Sequence, residues 1–486
     1  MPVSSTGVLP DPLNCSAVEL ARRVRDGDTT SAALVEAFIA RIEHVNPAIN
    51  AMVADRFSEA REEAAEADRV RASAKPGTLG PLHGVPCSIK ECFALTGMPQ
   101  CAGLESLAHR RATTDATAVR RLRQAGAIPL GVTNLSELCM WMESNNRVYG
   151  RTNNPHALDR IVGGSSGGEG AIVAARGAPF GLGSDIGGSI RLPAFFNGVF
   201  GHKPTGGLVP STGQFPASSG TALRYLCSGP ISHSADDLMP LLRILAGPDG
   251  EDPSVESVEL GDTDTVSVDG MRVLNVRGNG FRGVAPSLRA AQQAAADALA
   301  ARGAEVIDLE VPALKKSLIY WATLLGDADQ ESFRSMLENG EPKSMTMELC
   351  RWAVRRSPHT LPAILLAAIE GPAAKISGDV DKIRRELENV KTELSERIGD
   401  GVMLYPSYTR PAPRHAVPMA LAVDWVYTAV INVLEMPATQ VPTGLTTRGL
   451  PTGIQVVGRH FQDHRTIAVA SALEEALGGS PIPTAV

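Results

Sequence analysis

The feature that most constrains the fold is an alternation of short apolar runs and helical segments between residues 80 and 210. One helical segment covers 116–125, and the apolar run Ala-Ile-Pro-Leu-Gly-Val follows it at 127–132. A second strand–helix–strand pattern lies at 271–276, 287–301 and 305–311. Such alternation is typical of α/β sheets, and the right-handed crossover rule makes the second unit a pair of parallel strands.

Helical patterns lie on both sides of this region. Residues 16–45 predict two helices, the second beginning near Thr30 and stopping at Asn46–Pro47, and 56–74 predicts a third. From about 315 to 400 the chain has helical character throughout. Within it, apolar residues three or four apart form one stripe, which consists of Val380, Ile383, Leu387, Val390, Leu394 and Ile398. Because acids and bases share the opposite face, the stripe favours a core contact over a partner or a membrane surface.

Composition limits the partners that this chain can have. The 486 residues carry a net charge of −7 without strong clustering by sign. Phosphate binding needs a basic face, so we predict no nucleic-acid partner. Seven scattered cysteines, an odd number, favour a reducing compartment. Cys87, Cys92 and Cys101 lie close together, but no zinc-type spacing follows, so we predict buried apolar side chains and no metal.

The chain shows no sign of membrane insertion or export. Its N-terminal stretch has neither the basic nor the apolar region of a signal peptide. Its longest apolar runs, such as 363–369, are far shorter than the ~20 residues of a membrane span. We therefore expect a cytoplasmic protein without a membrane anchor. The absence of repeats and low-complexity linkers predicts one domain over residues 1–486, with an embedded helical region.

Two glycine–serine clusters carry the clearest chemical signal. The first covers residues 162–170, the second covers 183–191, and 24 residues separate Ser165 in the first from Ser189 in the second. Neither has the spacing of a phosphate-binding loop. Glycines allow backbone N–H groups to converge on one point, as an oxyanion hole requires. We therefore predict Ser189 as the attacking serine, and an oxyanion hole formed by Ile186, Gly187, Gly188 and Ser189.

A serine nucleophile needs a base, and no histidine lies in either cluster. Lys90 ends the apolar segment Val-Pro-Cys-Ser-Ile-Lys, which predicts a buried strand. Burial disfavours the charged ammonium form and favours the neutral amine that a base must be. Taken alone, a lysine in an apolar segment is more often paired structurally with a carboxylate, and Glu91 is its neighbour.

Together these segments resemble the amidase signature family. The match includes Gly-Gly-Ser-Ser-Gly-Gly, the 24-residue interval, Asp-Ile-Gly-Gly-Ser-Ile-Arg and the lysine segment, and it runs nearly end to end. The resemblance implies an α/β/α sandwich around a mixed, mostly parallel twisted sheet, with 80–215 as its catalytic core. It implies Lys90 as base, Ser165 as a relay preceded by a cis bond, Ser189 as the acylated nucleophile, and no cofactor. It also assigns supporting roles to Ser166 and Asp185.

Within that family the chain is most similar to the second type of fatty-acid amide hydrolase. The residues that carry this similarity lie at 136–141, 194–204, 412–418 and 462–464. The resemblance implies hydrolysis of a small-molecule amide, with esters and carbamates as further substrates, and homodimers are common among relatives. The apolar segment 315–375 predicts a hydrophobic or aryl substrate.

Other interpretations stay open at this point. Met140, Trp141 and Met142 are candidates for an acyl pocket, because methionine adapts to varied apolar shapes, but core packing explains them equally well. The family also includes a glutamine-hydrolysing subunit of an amidotransferase. A noncatalytic binding module on the same scaffold is the third alternative, and it would be expected to lack Lys90 or a serine.

Overall fold

The computed structural model describes residues 10–328, 332–340, 344–376 and 379–486. Three short stretches of the predicted helical region at 315–400 therefore lie outside the described residues. The start of the N-terminal stretch lies outside them too. The helices are α1 (Ala17–Asp26), α2 (Ser31–Ile49), α3 (Phe57–Ser73), α4 (Thr117–Gln124), α5 (Gly167–Ala174), α6 (Arg191–Asn197), α7 (Ala222–Tyr225), α8 (Leu238–Leu245), α9 (Pro286–Ala301), α10 (Ser317–Ala328), α11 (Phe333–Glu338), α12 (Met345–Ala353), α13 (Leu361–Ile376), α14 (Val380–Ile398), α15 (Val426–Val433) and α16 (Asp463–Leu477).

Most strands of the described chain belong to one sheet. They are β1 (Met52–Asp55), β2 (Pro86–Lys90), β3 (Ile128–Thr133), β4 (Asn145–Asn146), β5 (Gly150–Arg151), β6 (Phe180–Asp185), β7 (Phe200–Lys203), β8 (Cys227–Ser232), β9 (Arg272–Asn275), β10 (Glu305–Asp308), β11 (Val402–Tyr405), β12 (Ala438–Leu445) and β13 (Pro451–Val457). Eleven of them pair in the order β1-β3-β2-β6-β8-β7-β12-β13-β11-β9-β10, while β4 and β5 form a separate hairpin. The predicted α/β class is confirmed.

The sheet is mixed, but the expectation of a mostly parallel sheet is wrong. Four neighbouring pairs are parallel: β2 with β3, β2 with β6, and β9 with both β10 and β11. The other six are antiparallel and form the centre and one edge. The parallel β9–β10 unit is the one that the sequence pattern predicted. At the centre, a turn of only five residues (446–450) joins β12 to β13, and so short a connection requires antiparallel pairing.

Helices cover both faces of the sheet. Successive strand residues point to opposite sides, and along β11 Leu404 packs in one apolar cluster while its neighbour Met403 packs in the other. Ile467 of α16 joins the first cluster, and Leu387 of α14 joins the second. The core-facing prediction for the apolar stripe of α14 is confirmed at its four buried positions, which are Leu387, Val390, Leu394 and Ile398.

The predicted end of the second helix is wrong by one turn. Thr30 caps α2 by accepting a hydrogen bond from the Ala33 N–H. However, Pro47 lies inside the helix, which ends only where Asn50 adopts a left-handed conformation with φ of 49°. A proline in the last turn forfeits one hydrogen bond and can otherwise keep helical φ, and the turn that it extends buries Ile49 completely.

The described helices include none that could cross a membrane. In the region predicted to be helical, α10 to α14 follow one another between Ser317 and Ile398. α10 and α14 lie over the face of the sheet that carries the second apolar cluster. The predicted helical character is therefore confirmed for most of the described residues, but 354–360, between α12 and α13, form a non-helical connection.

Candidate active site

Lys90 lies at the end of a central, fully buried strand. Every residue of β2 is buried, because β3 and β6 pair with it on its two sides. Lys90 Nζ donates to Ser165 Oγ at 2.7 Å and to Ser184 Oγ at 2.9 Å. Residues from both glycine–serine clusters thus converge on one buried amine.

Glu91 does not pair with Lys90. Its carboxylate accepts the N–H groups of Cys101 and Ala102 and the Tyr149 hydroxyl, at 2.7–2.9 Å. Burial raises the pKa of this carboxyl, although the hydrogen bonds oppose that effect. The structural ion pair that the sequence left open is therefore absent, and among the described residues the Lys90 side chain is hydrogen-bonded to serines alone.

Ser165 is held by the backbone around it. The Gly164–Ser165 peptide bond is cis, as the family resemblance implied. The Ser144 hydroxyl donates to the Ser165 carbonyl at 3.1 Å. A Cβ at Gly164 would lie 2.2 Å from the Trp141 carbonyl oxygen, so only glycine permits this close approach.

Ser189 follows the end of β6, next to the first cluster. The Ser166 N–H donates to the Ser189 carbonyl at 3.2 Å. The Ser166 hydroxyl donates to the Ser184 carbonyl, also at 3.2 Å, and this contact ties the two clusters together a second time. Ser189 is 9% exposed, and within the described chain its hydroxyl makes no hydrogen bond to protein. The side chain is thus largely buried, and its hydroxyl is not committed to a protein partner.

The loop at 186–189, called the oxyanion loop below, offers fewer donors than predicted. The Gly188 N–H donates to the Asp185 carboxylate at 2.6 Å, so it is already engaged. The N–H groups of Ile186, Gly187 and Ser189 have no acceptor among the described residues. Gly188 adopts φ of 129°, which requires glycine. The donor set that remains free therefore has three members.

A buried ion pair fixes the base of this loop. Asp185 and Arg191 are both completely buried, and the guanidinium contacts both carboxylate oxygens at 3.0 Å. Burial alone would raise the pKa of Asp185, but Arg191 holds it well below its ordinary range. Asn432 and Gln455, from the last quarter of the chain, accept the other Arg191 N–H groups at 2.6 and 2.9 Å.

A further buried carboxyl, that of Glu169, lies near Lys90. Glu169 of α5 accepts hydrogen bonds from the Ser88 and Thr133 hydroxyls, both at 2.6 Å. Burial raises its pKa from 4.5 to about 7, while the two hydroxyls and the Lys90 charge oppose that shift. Within the described chain, the carboxyl is hydrogen-bonded to Ser88 and Thr133 and to neither Ser165 nor Ser189.

The three candidates for an acyl pocket divide into two groups. Met142 is buried in the second apolar cluster, and its sulfur accepts the Tyr408 hydroxyl at 3.5 Å, so core packing explains it. Met140 and Trp141 are half-buried. The backbone of their segment lies against Gly164, which the Trp141 carbonyl oxygen and the Glu143 nitrogen both approach closely. These two side chains stay candidates for substrate contact.

Sequence reasoning missed several residues of the site. Ser184, the second partner of Lys90, stands one residue before Asp185 in the second cluster, where its hydroxyl could have been noticed. Asn432 lies 241 residues from Arg191, so no local pattern marks it.

The cysteines contribute apolar volume. Cys87, Cys92 and Cys101 are free and buried, as predicted. The Cys92 thiol lies 3.7 Å from the Ser184 hydroxyl, at the edge of the lysine site. Over the described ranges, no group of three or more His, Cys, Asp or Glu side chains is arranged to hold a metal ion.

Comparisons with known proteins match almost the whole chain. A family profile described as Amidase matches residues 33–467. Fatty-acid amide hydrolase 2-A of Danio rerio is 43% identical over 481 residues, which cover 96% of this chain and 89% of that protein. An acylamidase of Rhodococcus erythropolis is 32% identical over 468 residues, 94% of each chain. The solved structure of 6-aminohexanoate cyclic dimer hydrolase complexed with substrate has a TM-score of 0.80 at 27% identity, covering 96% of this chain and 97% of that one.

Proposed function

Because the chain belongs to the amidase signature family and is therefore an amide hydrolase, we propose that it cleaves its substrate with Ser189 as nucleophile, Ser165 as relay and Lys90 as base. The observation that carries this proposal is the 2.7 Å contact between Lys90 Nζ and Ser165 Oγ inside a buried site. The main-chain hydrogen bond from Ser166 to Ser189 keeps the second serine beside the first.

The reaction follows from these positions. Neutral Lys90 accepts the Ser165 proton while Ser165 accepts the proton of Ser189, whose oxygen bonds to the substrate carbonyl carbon. The carbonyl π electrons move to oxygen, and the free N–H groups of the oxyanion loop stabilise the resulting anion. The relay then returns a proton to the nitrogen, the carbon–nitrogen bond breaks, and the amine leaves. Water attacks the Ser189 ester through the same relay and releases the acid.

The side chains near the serines favour a hydrophobic acyl group. Met140 and Trp141 are half-buried, and the backbone of their segment packs on Gly164, next to Ser165. Two relatives carry the names acylamidase and fatty-acid amide hydrolase, which fits such a group. We therefore assign hydrophobic or aryl amides as substrates, with esters and carbamates as secondary ones.

Covalent labelling tests the nucleophile. Incubation of the full chain with a fluorophosphonate, followed by peptide mass spectrometry, should give one adduct, on Ser189. Ser189→Ala should abolish the adduct. Ser165→Ala keeps the nucleophile but removes the relay, so it should slow labelling strongly. An adduct on another serine, or equal labelling of wild type and Ser189→Ala, would contradict the assignment.

A substrate panel tests the acyl preference. Rates on p-nitroanilides and p-nitrophenyl carbamates of increasing acyl length should rise from acetyl to longer or aromatic acyl groups. A preference for small polar acyl groups would contradict the assignment. Ammonia release from glutamine as the best reaction would instead favour the amidotransferase-type alternative, and failure on every substrate together with no adduct would favour a noncatalytic module.

The state and location of the protein stay predictions. We expect a homodimer, as relatives commonly form, and a cytoplasmic protein that binds no nucleic acid. Light scattering coupled to size exclusion measures the first directly, because a dimer doubles the monomer mass of 51.2 kDa.

A further inference from the structure

The oxyanion loop is held by side chains that lie far away in the sequence. The Trp321 indole N–H donates to the Ile186 carbonyl at 2.8 Å. The Thr428 hydroxyl donates to the next carbonyl, that of Gly187, also at 2.8 Å. Both carbonyls of the loop's first two residues thus accept a hydrogen bond from outside the loop.

The indole contact determines where a catalytic donor points. The Ile186 carbonyl and the Gly187 N–H belong to one planar peptide unit, which is trans, so they point in opposite directions. Anchoring the carbonyl oxygen on one side therefore directs the Gly187 N–H to the other. That N–H is one of the three free donors of the loop.

The loop needs such an anchor, because its own residues cannot supply one. Gly187 and Gly188 have no side chains, and adjacent glycines have the widest choice of backbone conformations. The Asp185 carboxylate fixes the Gly188 N–H at 2.6 Å, but it does not reach the preceding peptide unit. The indole N–H of Trp321 is the group that fixes that unit.

Trp321 is itself rigidly placed. It lies in α10, in the helical region on one face of the sheet, and its ring packs edge-to-face on Trp425 with centroids 4.5 Å apart. A Cβ at Gly187 would lie 3.4 Å from the indole nitrogen, so the ring already rests against the loop. A rigid ring in van der Waals contact holds its hydrogen bond at little cost in side-chain entropy.

We propose that Trp321 is a positioning residue of the reaction: its indole N–H orients the peptide unit between Ile186 and Gly187, so that the Gly187 N–H faces the oxyanion. The inference rests on the proposed function, because it requires catalysis at Ser189. It also assigns the helical region a part in the chemistry, since α10 brings the donor to the loop.

The test compares two tryptophans, of which only Trp321 donates to the oxyanion loop. Trp321→Phe keeps an aromatic ring but removes the donor to Ile186. Trp352→Phe makes the same change in α12, at a side chain that is 37% exposed. Loss of one oxyanion donor typically costs about 10²–10³-fold in kcat, and misorientation of one should cost about 10- to 100-fold. We expect that loss of kcat in Trp321→Phe with KM changed less than about threefold, and a change of less than about threefold in both constants in Trp352→Phe.

In Trp321→Phe, fluorophosphonate labelling of Ser189 should slow in parallel with kcat, since the phosphoryl oxygen of the reagent accepts hydrogen bonds from the same N–H groups as the oxyanion. Equal effects of the two substitutions, or a change confined to KM, would overturn the inference. If Trp321→Phe does not fold, β-(3-benzothienyl)alanine at position 321 decides the matter, because it keeps the bicyclic shape without the N–H. A wild type that neither labels nor hydrolyses would refute the proposed function itself, and this outcome is distinct from an active Trp321→Phe.

Discussion

Replacing Glu169 with glutamine should change how the stability of the protein depends on pH. This carboxyl is completely buried in α5 and has no arginine or lysine within ion-pair distance in the described chain. Burial raises its pKa from 4.5 to about 7, so the folded chain binds this proton about 300-fold more tightly than the unfolded chain. A 300-fold difference in proton affinity corresponds to about 3 kcal/mol.

The sign follows from linkage. A group whose pKa is raised in the folded state contributes stability that is complete below its unfolded pKa of 4.5 and is lost as the pH rises through about 7. Most of that loss falls between pH 5 and pH 8. Asp237 and Glu474, whose pKa values burial raises to about 6 and about 7, titrate in the same range. Both residues are present in the wild type and in Glu169→Gln, so their contributions cancel when the two free energies of unfolding are subtracted.

Urea unfolding at pH 5, 6, 7 and 8 measures this difference. Glutamine keeps the size of the side chain and can still exchange hydrogen bonds with Ser88 and Thr133. Glu169→Gln should therefore match wild type at pH 5 and exceed its free energy of unfolding by about 2–3 kcal/mol at pH 8. The exposed Glu259→Gln serves as control and should follow the wild-type curve. Parallel curves for Glu169→Gln and wild type would refute the reasoning.

Three further substitutions test the site. Lys90→Ala should lower kcat by about 10²–10⁴-fold, because Ser165 loses its base; initial rates on a p-nitroanilide measure this, and a loss below tenfold would contradict it. Asp185→Asn leaves the Arg191 charge buried without a counter-ion, so urea unfolding should show a loss of about 3–5 kcal/mol, and a loss under 1 kcal/mol would argue against a strong pair. Gly188→Ala places a Cβ 2.2 Å from Thr428 Oγ1 at φ of 129°, and it should lower Tm and activity far more than Gly270→Ala, whose φ is also positive but whose surroundings are open.

The sequence predicted the parts of the molecule that local patterns encode. The strand ending at Lys90, the two glycine–serine clusters and the parallel β9–β10 unit each depend on residues close together in the chain. The family resemblance then joined the clusters to the lysine, and their contacts at 2.7 and 2.9 Å agree with that grouping.

The remaining features depend on contacts between distant segments. In the antiparallel centre, β7 (Phe200–Lys203) pairs with β12 (Ala438–Leu445). Neither strand has a sequence pattern that identifies the other as its partner. The indole of Trp321 reaches a carbonyl 135 residues away. A hydrogen bond to a backbone carbonyl can come from any donor, so residue type alone could not identify it.

The ties between the oxyanion loop and the C-terminal part of the chain have a consequence for biosynthesis. Asn432 and Gln455 accept hydrogen bonds from Arg191, and Thr428 donates one to the Gly187 carbonyl. All three residues leave the ribosome hundreds of residues after Ser189. A nascent chain that already contains Lys90, Ser165 and Ser189 therefore lacks the groups that hold its loop in place. We therefore expect hydrolytic activity to begin only when translation is nearly finished.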